Sequence, residues 1–250
     1  MRAYAGVFNA VEGNTTFYAV PNATTVARWV EQTPESFRFV MKAPRLVTHE
    51  RRLRDVGRLL DDFCRALEPL GPRLGGITLQ LPPSLGPDDL PALDDVLARG
   101  SRAVRWSVEP RHRAFFEGRG MAQLHDVLER HGCERVLLDV SPLHAAPTTT
   151  EEGDEERRQK PRVPRLEVAL GEFPIVRVIG HDDPAHTDSG LARWEPAVLR
   201  WLTEGRTPTI YVHTPSNLDT PAHATAFHRR MCELDPSIAP PSAEPPTSLF

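Results

Sequence analysis

Short apolar stretches in this chain end, one after another, in a polar or ionisable side chain: Glu12, Asn14, Lys42, Gln80, Glu109, Asp139, Arg177 and His213. The acids among them (Glu12, Glu109, Asp139) can divide general acid and general base roles when their surroundings separate their pKa values. Lys42 and Arg177 can hold a phosphate or a carboxylate, and His213 can move a proton near neutral pH. Such groups lie far apart in sequence, so a fold must bring them together.

The positioning elements follow from hydrophobic periodicity. Strands are expected at Phe8–Val11, Phe37–Ala43, Ile77–Pro83, Ala103–Glu109, Arg135–Val140, Pro174–Ile179 and Pro208–His213. Helices are expected at Thr24–Gln32, Asp55–Leu70, Asp88–Ala98, Met121–His131, Ala192–Glu204 and Pro221–Leu234, with Gly132 and Gly205 placed as C-terminal caps. Strands alternating with helices imply βαβ units and a parallel sheet. Side chains alternate faces along a strand. Sorting each strand by parity sends Val104, Trp106 and Val108 toward the helices, and Arg105, Ser107 and Glu109 to the opposite face. The same sorting places Glu12, Asn14, Lys42, Gln80, Asp139, Arg177 and His213 with Glu109, near the strand C-termini. Barrels keep their chemistry there, so the set is read as a ligand site: Glu109, Asp139, His213 and Glu12 as catalytic candidates, and Asn14, Lys42, Gln80 and Arg177 as substrate contacts.

With 250 residues the chain matches one (β/α)8 barrel, and its net charge of −4 excludes a general pull toward nucleic acid or anionic lipid. Cys64, Cys133 and Cys232 are too scattered for a disulfide framework, which fits a cytoplasmic protein. No apolar run approaches a membrane span, and no membrane contact is expected. Residues 1–235 read as a single barrel domain. Within it, the charged stretch from Thr148 to Arg165 reads as a long mobile loop. Residues 236–250, rich in Pro, Ser and Ala, read as a disordered tail.

The segments FNAVEGNTTFYAVP, FRFVMKAPRLVTH, LQLPPSLGP, VEPRH, RVLLDVSPLHAA, KPRVP, IGHDD, HTP and the terminal SLF together resemble the YecE-like proteins, a bacterial and archaeal family with a domain of unknown function numbered 72. The resemblance spans nearly the whole chain. It implies a TIM-type barrel and supplies no function. Similar proteins begin with a strand and a helix ahead of the FNxVE segment. This chain is therefore expected to lack the first strand and most of the first helix.

The chemistry favours a hydrolase or lyase acting on a small anionic, phosphorylated substrate. Glu109 would be the base, Asp139 or His213 its partner, and Lys42 and Arg177 the anion clamp. No cofactor is expected. A divalent metal stays open, because His49, His112, His144, His181 and Asp182 follow strands, although no HExxH, CxxC or close His-x-His spacing assigns ligands. A metal would make phosphodiester hydrolysis the sharper reading. Two further readings are a non-catalytic metabolite-binding barrel and a DNA-maintenance accessory. In the latter, Leu249 and Phe250, ending PTSLF, would dock into a bacterial sliding clamp.

Overall fold

A computed structural model describes residues 1–240. Leu249 and Phe250 lie outside the described residues. The fold is an α/β barrel type built from parallel strands and intervening helices, with the strands in chain order in the sheet. It divides into two compact units, one ending at Val136 and the other starting at Leu137. Among the described residues no helix is long and apolar enough to cross a membrane.

The first unit opens on a helical turn, α1 (Arg2–Ala5), followed by β1 (Ala10–Gly13), α2 (Ala23–Gln32), β2 (Arg38–Lys42), α3 (Gly57–Leu67), β3 (Leu74–Gln80), α4 (Leu90–Arg99), β4 (Trp106–Glu109), α5 (Gly118–Arg130) and the start of β5 (Glu134–Asp139). α3 and α4 each bury one stripe: Leu60, Phe63 and Leu67 in α3, and Leu90, Leu93, Val96 and Leu97 in α4. Asn22 caps α2 by accepting from the Thr25 backbone N–H at 2.8 Å. Trp29 of α2 stacks on Phe39 of β2 at 5.7 Å, which fixes the odd positions of β2 on the helix side. Gly75 and Gly76 lie inside β3, which starts three residues ahead of the expected Ile77. The register slips there, so that Phe39 faces Leu74 and Val40 faces Gly76. A Cβ on Gly76 would come within 2.8 Å of the Arg105 carbonyl oxygen, so this bulge needs glycine.

The second unit holds the end of β5, α6 (Glu151–Gln159), β6 (Ile175–Ile179), α7 (Pro184–Ala192), α8 (Glu195–Thr203), β7 (Thr209–His213) and α9 (Thr220–Leu234). β6 and β7 pair in parallel, Arg177 beside Tyr211 and Ile179 beside His213. The core packs Leu137, Val176 and Val178 against Trp194, Val198, Trp201 and Met231. Two helices differ from expectation. α6 lies within the stretch read as a loop, nucleated by a Thr150 cap on the Gly153 N–H. α7 starts on an Asp183 cap with Pro184 at its first position. Pro236–Ala239, placed by sequence in the tail, turns back on α9: Ile238 packs on the core, and the Ala239 carbonyl lies 2.8 Å from the His228 ring. Gly132 and Gly205 take left-handed φ of +59° and +77°, as helix-ending residues do.

Candidate functional site

The β1–β4 ends of the first unit carry most of the anticipated groups. Register sets Lys42 beside Thr78, Thr78 beside Ser107, and Gln80 beside Glu109, so these side chains share one face. The Lys42 ammonium donates to Gln80 Oε1 at 3.0 Å and lies 3.5 Å from the Glu12 carboxylate. Thr16, from the turn after β1, donates to the Lys42 and Gly13 carbonyls and so ties that turn to β2. Asn14 is exposed at the start of this turn and makes no side-chain cap. The Glu109 carboxylate is fully buried and receives the Arg111 Nε–H at 2.8 Å. Burying a carboxylate is tolerable only when such a partner is present.

His49 joins this cluster from the loop after β2. Its loop makes a π-type turn over Leu46–Glu50, then places Arg52, Leu53 and Asp55 at φ of 49°, 65° and 52°. Three side-chain-bearing residues in the left-handed region so close together store backbone strain, a feature that concentrates at working sites. Arg52 holds the loop by bonding Ser84 and, at 2.7 Å, Asp89. The Thr48 hydroxyl meets His49 Nδ1 at 2.9 Å, and the Phe17 ring packs edge-on against the imidazole at 5.0 Å. Burial and the guanidinium groups of Arg111 and Arg45 lower the His49 pKa to about 4, against an upward pull from Glu109. The imidazole is therefore neutral at physiological pH. Since its folded pKa lies below the ordinary 6.5, the unfolded chain takes up a proton that the folded form refuses. The stability this difference contributes is complete above pH 6.5 and declines as pH falls toward 4. Melting temperature against pH should flatten across that window in His49→Gln.

β5 requires a correction. Register places Ser107 beside Glu134 and Val108 beside Arg135, so Glu134, not Arg135, shares the face of Ser107. Alternation then sends Leu137 and Asp139 to the helix side, the reverse of the parity expected from sequence. Arg135 accordingly packs over the Phe116 ring at 4.8 Å and bonds His125 of α5. Asp139 accepts from Trp194 Nε1 at 2.8 Å and from the Ser141 N–H, with the Arg165 guanidinium 3.5 Å away. These contacts tie Asp139 into the packing of the second unit. Glu134, which sequence reasoning passed over, takes its place on the polar face.

In the second unit, Arg177 is buried, beside Tyr211, and His213 ends β7. His213 Nε2 lies 3.6 Å from Glu156, whose other oxygen meets Lys160 at 3.1 Å. Burial would raise the Glu156 pKa, but the neighbouring His213 imidazole and the Lys160 ammonium bring it down to about 2. The loop histidines have local tasks. His112 Nδ1 accepts from the Ala114 N–H. His181 Nδ1 accepts from the Asp183 N–H, and the Arg162 Nε–H points to His144 Nδ1 at 3.4 Å. Asp182 accepts from the backbone and hydroxyl groups of Thr149 and Thr150. Among the described residues no three His, Cys, Asp or Glu side chains gather to hold a metal ion.

Comparison with known proteins adds the family context. A model described as "Protein of unknown function DUF72" matches residues 1–247. The chain is 36% identical to the UPF0759 protein YecE of Escherichia coli K12 over 252 aligned residues, covering 100% of this chain and 92% of that one. It is 32% identical to the UPF0759 protein YunF of Bacillus subtilis over 89 residues, 33% of this chain and 32% of YunF. Crystal structures of DUF72 family proteins share the fold. One from Enterococcus faecalis superposes with a TM-score of 0.72 at 18% identity, over 91% of each chain. One from Thermotoga maritima does so with 0.68 at 20% identity, over 90% of this chain and 85% of that one.

Proposed function

The chain belongs to the DUF72 family of proteins of unknown function, and on that footing we propose that its first unit is a hydrolase or lyase site for a small anionic, phosphorylated substrate. The observation that carries this reading is His49, kept neutral by burial and by the charges of Arg111 and Arg45, while the buried Glu109 holds Arg111 in place. An imidazole with a pKa of about 4 is a weak base at neutral pH. A bound phosphoryl group would offset the two guanidinium charges and raise that pKa toward neutrality. The base would then strengthen only when substrate is present. Arg111 supplies a planar, two-pronged contact for the anion. Lys42, held between Glu12 and Gln80, adds a second fixed charge. The reading needs no cofactor.

Thermal shift against a panel of phosphorylated metabolites tests it. A ligand at about 100 times its Kd stabilises by roughly 2.7 kcal/mol, which for a chain of this size is a shift of roughly 5–10 °C. That shift should vanish in Arg111→Met. His49→Ala should keep binding and lose roughly 10²–10⁴-fold in turnover. If no phosphorylated compound shifts the protein, or if Arg111→Met shifts equally, the reading fails.

A further inference from the structure

α6, with sequence EEGDEERRQ, contains no apolar side chain, and Gly153 is its only buried residue. Hydrophobic burial cannot dock such a helix. Polar latches hold it. Asp182 Oδ2 receives the Thr149 and Thr150 N–H groups at 2.6 and 2.7 Å, and both hydroxyls at 3.2 and 3.0 Å. The Arg157 guanidinium donates to the Leu143 and Ala146 carbonyls. Gly153 fits because a Cβ there would come within 2.9 Å of Asp182 Oδ2. A further latch is Glu156, which reaches His213 at the end of β7.

Tyr211 and His213 are two residues apart on β7 and share a face, and Arg177 is the register partner of Tyr211. A buried guanidinium, a phenol and an imidazole in one row are hydrogen-bond donors suited to an oxyanion. Lys160 adds an ammonium at the end of α6. We propose that Arg177, Tyr211, His213 and Lys160 form an oxyanion site in the second unit, which α6 covers and in which the Glu156 carboxylate stands where a ligand's oxyanion would. A tethered carboxylate is an intramolecular competitor with an effective concentration in the millimolar range or above. The ligand must displace it, and the polar docking of α6 lets it do so.

Inorganic phosphate is the probe, titrated by calorimetry into the full chain. Glu156→Gln removes the competitor, and Asp182→Ala loosens α6 without touching the donors. Both should bind phosphate about ten-fold or more tightly than the unaltered chain, as expected when a tethered competitor is lost. Adding His213→Ala to Glu156→Gln should abolish the gain. Hydrogen exchange should show the amides of 151–159 exchanging faster when phosphate is present. Unchanged affinity in both variants, no phosphate binding in any form, or a gain that survives His213→Ala would each overturn the proposal. It stands apart from the reading of the first unit. Phosphate bound there would be lost in Arg111→Met and indifferent to Glu156 and His213.

Discussion

Trp194→Ala is expected to lower stability by about 4–8 kcal/mol. Truncating a buried tryptophan typically costs about 3–5 kcal/mol, and removing one donor from a buried carboxylate adds roughly 1–3 kcal/mol. Both penalties apply. Trp194 is fully buried in the core of the second unit, 6.1 Å from Trp201, with the Arg165 guanidinium 4.3 Å above its ring. Its Nε1–H is the donor to Asp139. Scanning calorimetry should show a fall in melting temperature of roughly 8–32 °C, at the 2–4 °C per kcal/mol usual for chains of this length. Trp194→Phe keeps most of the packing and removes the donor, so it should cost only about 1–3 kcal/mol. Asp139→Ala should likewise destabilise while leaving any metabolite-induced shift of the first unit intact. If Asp139→Ala left stability unchanged and abolished that shift, Asp139 would be a site residue and the packing role assigned to it would be wrong.

The same cluster shows why sequence reading reached some of the site and missed the rest. Parity worked where one face of a strand is apolar and the other polar. In β4, Val108 and Glu109 separate cleanly, and in β2, Met41 and Lys42 do. β5 reads Glu-Arg-Val-Leu-Leu-Asp, apolar on both faces in its middle and charged on both at its ends. Only the pairing of Ser107 with Glu134 fixes its facing, and register is a tertiary fact. α6 escaped a search for apolar stripes because it has none. Its signals were electrostatic: a threonine cap, Glu151, Glu152 and Asp154 in the first turn, and Arg157 and Arg158 in the last. His49 was visible as a loop histidine after a strand. Its perturbation was not, because Arg111 comes from another loop more than sixty residues on.

Glu109→Leu should be the most damaging change in the first unit, because it leaves the Arg111 guanidinium, only 12% exposed, without the carboxylate 2.8 Å away. Breaking a buried ion pair from one side costs about 3–5 kcal/mol, whereas replacing both partners with apolar groups of similar size is often neutral. The double variant Glu109→Leu/Arg111→Met should therefore recover most of the lost stability, while anion-induced stabilisation stays absent from it. Stability regained without binding would mean that the charges serve the ligand rather than the fold. His49 supplies an independent readout, because these two charges act on its pKa in opposite senses. In NMR titrations, Glu109→Gln should move the His49 pKa further below 4, since it removes a nearby charge that favours the imidazolium. Arg111→Met should move it up, toward the ordinary value. If the two variants moved His49 in the same direction, or Arg111→Met left it in place, the electrostatic coupling on which the proposed catalytic role depends would be refuted.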